Sequence, residues 1–169
     1  MLTTIAAVAQ PAVAAPADRY FGRLNMSALR IRYETMQLKK RYETHQLLPE
    51  QAEHLLLLTN DAFAQWARAY PKDSWLPSTG YAMAALFAEL PGATARDRAV
   101  ALYVYVKTNF PSSSYAKGSR AALHRGVPAK RDPAWAIAMR AASSAASPSP
   151  SPPVSPSPSP VPGSTQPPR

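Results

Sequence analysis

The sequence predicts an all-α domain, built from five or six helices in antiparallel hairpins and followed by a disordered Pro/Ser-rich tail. Two observations favour this fold. Apolar residues recur at three- and four-residue steps through most of residues 24–142, which is the spacing of one face of a helix. One of these patterns returns forty residues later, and a proline ends the helix in both copies.

The first fifteen residues, "MLTTIAAVAQPAVAA", are uncharged and alanine-rich. Ala12, Val13 and Ala14 fit the small-x-small rule for a signal peptidase site, although no basic residue precedes the apolar stretch. We therefore interpret residues 1–15 as a signal peptide, truncated or complete, with a disordered leader as the alternative. The expected N-terminus after cleavage is Ala15 or Pro16. The expected location is periplasmic or secreted, with cytoplasmic as the alternative.

A first helix is predicted over 25–47, and we expect it to lie between two neighbouring helices. The reason is that it carries two apolar stripes rather than one. One stripe holds Met26, Leu29, Tyr33 and Met36, and the other holds Leu24, Ala28, Ile31, Leu38 and Tyr42.

A second helix is predicted from Pro49 to Tyr70. Proline is tolerated in the first turn of a helix, and Glu50 suits the positive end of the helix dipole. Pro71 ends the helix because it forces Tyr70 toward extended geometry. The apolar stripe of this helix contains Leu55, Thr59, Ala62, Phe63, Trp66 and Tyr70.

The stripe of the second helix, from Thr59 to Tyr70, recurs forty residues later in the chain, and Pro111 ends the second copy. Thr94 is predicted to begin this helix, with Asp97 completing a capping box. The stretch "LYVYV" at 102–106 lies inside this frame, so we interpret it as helix. The second stripe contains Ala99, Leu102, Tyr103, Val106 and Phe110.

A further helix is predicted after each proline, and its apolar residues are expected to nest closely against the partner helix. Asp132 and Pro133 then predict an N-cap and first turn for a last helix through Met139, expected to cap the open end of the array. The nesting residues are Trp75, Thr79, Ala82 and Met83 in one copy and Tyr115, Ser119, Ala122 and Leu123 in the other.

Helical hairpins with an aromatic-proline boundary resemble those of the tetratricopeptide-like helical-repeat superfamily. The stretch "NFPSSSYAKGSRAAL" carries the resemblance best, and it extends over residues 49–126. The period of forty departs from the usual thirty-four or so of tetratricopeptide repeats. The resemblance implies an α-α architecture that binds other proteins, and it implies no particular binding residue.

The chain ends in "SPSPSPPVSPSPSPVPGSTQPPR", which holds ten of the nineteen prolines. Proline lacks the amide proton that helices and sheets need, and no large apolar side chain is present to form a core. We therefore expect the helical domain to occupy residues 20–142 and residues 143–169 to form a disordered tail.

Positive charge is concentrated in the second half of the chain. Residues 99–169 carry eight Lys and Arg against the single acid Asp132. The helix after Pro111 places these charges opposite its apolar arc, and they are candidates for binding an anionic polymer or a membrane surface. The candidate residues are Lys117, Arg120, His124, Arg125, Lys130 and Arg131.

Several kinds of chemistry find little support in the sequence. The chain has no cysteine, which excludes disulfides and thiol catalysis. His45 and His54 flank one turn without a third ligand at useful spacing, so no metal site and no cofactor are predicted. Nucleic acid is not favoured because exposed aromatics do not alternate with the basic residues. No segment reaches the length of a membrane span.

We therefore expect a non-enzymatic protein-binding or scaffold module of the bacterial cell envelope, with its partner in the groove of the array. An electrostatic binder of an anionic polymer or nucleic acid is the first alternative. A small secreted enzyme is the second.

Overall fold

The computed structural model describes residues 14–145, and within that range the protein is helical without any strand. Most of the predicted leader and the tail from residue 146 onward lie outside the described residues. The described part contains six helices: α1 (Ala28–Glu43), α2 (Pro49–Ala69), α3 (Leu76–Glu89), α4 (Ala93–Asn109), α5 (Ser114–Arg125) and α6 (Ala134–Ala145). The predicted all-α fold is thus confirmed.

Local sequence sets the starts of the helices. The hydroxyl of Ser27 accepts a hydrogen bond from the Arg30 amide and caps α1, and Pro49 occupies the first turn of α2. The predicted capping box of α4 is wrong. Gly92 precedes that helix with φ of 98°, a conformation that favours glycine, and no side chain caps it. The carboxylate of Asp97 pairs with Arg96 instead.

Helix α3 lies at the centre of the domain and packs against α1, α2, α4 and α5. Its sequence is strongly apolar, which suits a helix that has neighbours on several sides. Leu76, Met83, Leu86 and Phe87 of α3 are all fully buried. The core of the protein therefore forms around this helix.

Helix α1 packs against two helices, α2 and α3, as predicted, but its second apolar stripe is not covered along the helix. Ile31 and Leu38 face the core, but the side chains of Leu29, Tyr33 and Met36 are 63%, 55% and 68% exposed. Met26, which belongs to the same stripe, is buried ahead of the helix. The rest of that stripe forms an open strip along the outside of α1.

The forty-residue offset holds at the level of single hydrogen bonds. At the end of α2 the Tyr70 amide donates to the Trp66 carbonyl, and at the end of α4 the Phe110 amide donates to the Val106 carbonyl. The turns that follow match as well, because Asp73 donates to Tyr70 as Ser113 donates to Phe110. The ends of α2 and α4 and the turns after them therefore share one local geometry, which is compatible with a helical-repeat fold.

Burial follows the same offset along the paired helices. Trp66 and Val106 are both fully buried, whereas Tyr70 and Phe110 are both half-buried. The close nesting predicted for the two large residues after the prolines is wrong. Trp75 and Tyr115 remain 41% and 40% exposed. The ring of Trp75 instead carries the Arg32 guanidinium, 4.3 Å from the ring centroid, which joins α1 to the start of α3.

The sequence predicted that α6 caps the open end of the array. In the structure α6 does not lie beyond α5. The chain returns past the α3–α4 turn, where the Gly92 amide donates to the Lys130 carbonyl at 2.9 Å. α6 then reaches the α1–α2 turn, where the ring of Trp135 stacks on His45 at 4.3 Å. Arg140 pairs there with Glu50 at 2.8 Å. Helix α6 lies at this turn because Trp135 and Arg140 have specific partners there. The apolar stripe of α6 alone could not predict those partners.

Candidate functional site

An open apolar groove separates α2 from α4. These two helices are the equivalent first helices of the two hairpins, and each supplies one wall. The cavity has a volume of about 350 Å³. Its lining comprises Asn60, Phe63, Ala64, Ala67, Arg68, Pro71, Arg98, Ala101, Leu102, Tyr105 and Asn109.

Aromatic side chains form the floor of the groove. The rings of Phe63 and Tyr105 meet edge to face with centroids 5.7 Å apart, and Tyr105 meets Phe110 at 5.8 Å. Gly80 of α3 lies behind them. A Cβ added there would be 3.0 Å from Val106 Cγ2 and 3.1 Å from Phe63 Cζ, so glycine permits the close approach of α3.

Small side chains keep the groove open. Ala64 and Ala67 on α2 face Ala101 on α4 across a space that longer side chains would fill. Burial raises the pKa of Tyr105 to about 12, so its phenol stays protonated at neutral pH. This hydroxyl is available as a hydrogen-bond donor beside an otherwise apolar surface.

Two arginines and two amides stand at the rim. The guanidinium of Arg68 donates to the Ala64 carbonyl of its own helix at 3.2 Å, and the Asn109 amide donates to the Tyr105 carbonyl at 2.9 Å. Within residues 14–145 neither Arg68 nor Arg98 forms an ion pair. The groove therefore joins an apolar floor to two cationic groups whose charge is not neutralised by a described carboxylate.

The predicted basic residues lie at the surface, as their pattern on α5 indicated. Ala116, Ser119 and Ala122 turn toward the core, and the basic residues occupy the opposite side of the helix. In the described part of the chain none of them pairs with a carboxylate. The exposed set on α5 comprises Lys117, Arg120, His124 and Arg125.

Lys130 and Arg131 are also exposed, but they belong to the loop that leaves α5. The backbone of this loop is held at the α3–α4 turn, because Gly92 donates to Lys130 and the Arg96 guanidinium donates to the Val127 carbonyl at 3.1 Å. Lys130 and Arg131 are therefore held at the α3–α4 turn, and they do not belong to the basic side of α5.

The histidines make no metal centre in the described range. His45 stacks on Trp135, while His54 and His124 are exposed on different helices. No group of three or more His, Asp or Glu in residues 14–145 lies close enough to hold an ion. Among the same residues, no helix combines the length and the apolar character needed to cross a bilayer.

Sequence reasoning missed the residues of the groove. The sequence did contain a signal for the groove, namely the alanines at 64, 67 and 101. These alanines lie beside the predicted apolar stripes rather than within them. A comparison with known proteins provides no further guide, since no family model, curated protein or solved structure matches this chain.

Proposed function

We propose that the protein is a non-enzymatic binding module that holds a short apolar and acidic segment of a partner protein in the α2–α4 groove. The observation that carries this proposal is the groove itself, an apolar cavity of about 350 Å³ with Arg68 and Arg98 at its rim. The setting that we propose is the bacterial cell envelope, which rests on the interpretation of residues 1–15 as a leader.

The floor of the groove favours a bulky apolar side chain in the bound segment. Such a side chain would cover Tyr105 and the alanines of the walls and remove their exposed carbon surface from water, whereas Phe63 and Leu102 are already buried. The three alanines along the walls leave space for it without movement of either helix. A mostly apolar cleft with few polar groups is typical of a binding site rather than of a solvated surface.

The rim favours an acidic group next to that side chain. Arginine binds carboxylates through two parallel hydrogen bonds, and neither rim arginine has a described carboxylate to satisfy it. The amides of Asn60 and Asn109 offer donors and acceptors that suit the backbone of an extended peptide. The resemblance to tetratricopeptide-like repeats, which implies protein binding, supports the same proposal.

The basic residues of α5 support a second candidate function, the binding of an anionic polymer or a membrane surface. Lys117, Arg120 and Arg125 are exposed on one side of the helix and unpaired within residues 14–145. Binding there would depend mainly on charge and would weaken steeply with salt.

Panning of a random short-peptide library on the full chain tests the first proposal. We expect enrichment of peptides in which Asp or Glu lies next to a bulky apolar residue. Calorimetry of one enriched peptide then compares two variants with the same change of charge. Ala101→Glu places a carboxylate in the groove and should abolish binding. Ala121→Glu, on an exposed position of α5, should leave it unchanged.

The same pair of variants tests the second candidate. Ala121 lies one turn from both Lys117 and Arg125, so a glutamate there neutralises part of the basic side of α5. Titration with polyphosphate or with anionic lipid vesicles should then show binding that Ala121→Glu weakens and Ala101→Glu does not. A peptide that binds both variants equally well would overturn the proposed role of the groove.

A further inference from the structure

Asp73 is a buried acid in the turn between α2 and α3, with 1% of its surface exposed. Its carboxylate accepts three hydrogen bonds. The Trp66 indole donates to Oδ2 at 3.0 Å, and the Trp75 amide donates to Oδ1 at 2.9 Å. The third donor is the backbone nitrogen of Ala15, 2.8 Å from Oδ2 and fifty-eight residues away in the chain.

This carboxylate has no cation beside it. Within residues 14–145, no Lys, Arg or His side chain forms an ion pair with Asp73. A buried charge is costly unless it is paired as well as hydrogen-bonded. The three N–H donors satisfy its hydrogen bonds and leave its charge uncompensated by any described residue.

The position of Ala15 suggests where the missing charge comes from. Ala15 directly follows Ala12-Val13-Ala14, the small-x-small pattern of a signal peptidase site. Hydrolysis of the Ala14–Ala15 bond by such a protease consumes one water, which supplies a hydroxyl to the Ala14 carbonyl carbon and a proton to the Ala15 nitrogen. The new Ala14 carboxyl group then ionises, and the proton that it loses is balanced by the one that the new Ala15 amine takes up. That nitrogen becomes an α-ammonium group, which is positively charged at neutral pH.

We infer that Asp73 is a receptor for the N-terminus made by cleavage between Ala14 and Ala15, and that the new ammonium group forms a buried ion pair with it. The contact already exists as an amide hydrogen bond, so cleavage changes the charge at a nitrogen that is in place. Ala14 is exposed, and its removal takes nothing from the core.

The geometry also chooses between two cleavage sites. Cleavage after Ala15 would leave a chain that begins at Pro16 and would remove the nitrogen that contacts Asp73. Cleavage after Ala14 keeps that nitrogen and adds charge to it. The structure therefore assigns Ala15 as the first residue of the processed protein.

Three forms of the protein test the ion pair. The first is residues 15–169 with a free amine, released from a fusion by a protease that leaves no extra residue. The second is the same chain with an acetylated N-terminus, which retains the N–H donor and loses the charge. The third is the intact chain 1–169, in which the Ala15 nitrogen is an amide. Urea denaturation measures the unfolding equilibrium of each form.

We expect the free-amine form to have an unfolding equilibrium constant roughly ten to a hundred times smaller than the acetylated form, as for hydrogen bonds to charged groups. Asp73→Asn should abolish this difference. Equal stability of the free-amine and acetylated forms would overturn the inference, and so would a difference that persists in Asp73→Asn.

If Asp73→Asn does not fold, a chain that begins at Pro16 takes its place. This variant lacks the Ala15 nitrogen and should be no more stable than the acetylated form. A Pro16 chain as stable as the free-amine form would contradict the inference. Mass spectrometry of protein exported by its native host provides an independent test. The expected first residue is Ala15, and any other N-terminus would overturn the assigned cleavage site.

Discussion

Tyr70 and Phe110 lie forty residues apart in the chain and have nearly the same backbone conformation. Tyr70 has φ of −133° and ψ of 63°, and Phe110 has φ of −132° and ψ of 54°. Each residue precedes a proline and ends the first helix of a hairpin. Proline disfavours the helical region for the residue before it, so the same local rule favours the same turn at both places.

The first prediction compares positions of the repeat with the basic side of α5. Trp66→Ala should lower the free energy of unfolding by about 3–5 kcal/mol, because it removes a fully buried ring. Phe110→Ala should cost less, since Phe110 is half-buried. Lys117→Ala and Arg120→Ala, both exposed, should stay within about 0.5 kcal/mol. The repeat would be contradicted if chemical denaturation showed a larger loss of unfolding free energy for the two basic variants than for the two aromatic ones.

The second prediction concerns Thr79 and Ser119, which are forty residues apart and occupy equivalent positions in α3 and α5. Ser119 is buried and its hydroxyl has no hydrogen-bond partner in the described part of the chain, whereas Thr79 donates to the Trp75 carbonyl at 2.8 Å. Ser119→Ala should therefore leave stability unchanged or raise it by up to about 1 kcal/mol. Thr79→Val should lower it by about 0.5–1.5 kcal/mol. Thermal denaturation showing a loss for Ser119→Ala would reveal a partner for that hydroxyl.

The third prediction separates backbone strain from steric overlap at two glycines. Gly22 and Gly92 have φ of 69° and 98°, so alanine at either position is strained by about 1–2 kcal/mol. A Cβ at Gly22 would also lie 2.7 Å from the Ala62 Cβ, whereas nothing lies within 4 Å of one at Gly92. Gly22→Ala should therefore lower the free energy of unfolding by about 1–3 kcal/mol more than Gly92→Ala does. Equal losses in urea would show that the N-terminal segment does not pack against α2.

The fourth prediction concerns the attachment of α6. The hydrogen bond from Arg140 holds the pKa of Glu50 below its usual range. A lowered pKa in the folded state means that the contribution is present above the unfolded pKa, about 4.3, and is lost as pH falls through the folded value. Arg140→Met should speed hydrogen exchange in α6 several-fold at pH 7 and only slightly in strong acid.

Arg120→Met is the matched control for α6, because Arg120 is an exposed arginine without a described carboxylate partner. It should leave exchange in α6 unchanged at every pH. An equal effect of the two substitutions would show that the ion pairs of Arg140 do not hold the helix.

The sequence predicted the elements of this fold better than their surroundings. Helix periodicity and the prolines at 71 and 111 placed α2 to α5 correctly, because both signals act within a few residues of the backbone they control. The exposed strip of α1 was mispredicted because periodicity shows that a face is apolar and does not show whether another helix covers it. The residues Leu29, Tyr33 and Met36 illustrate this limit.

The candidate sites divide in the same way. The exposure of the basic residues on α5 could be predicted, since it follows from the pattern of a single helix, while their role in binding stays a prediction. The groove could not, because its walls come from α2 and α4 and its depth depends on how closely Gly80 lets α3 approach. The contact between Ala15 and Asp73 was equally hidden, since fifty-eight residues separate the two partners.

The central position of α3 has a consequence for how the protein unfolds. In long repeat arrays each unit touches only its neighbours, and such arrays can unzip from an end. Here one helix contacts α1, α2, α4 and α5, so neither hairpin can separate without exposing the surface that holds the other. The two repeats should therefore melt together in one cooperative transition, while α6, which has few contacts with the other helices, opens first as a separate unit.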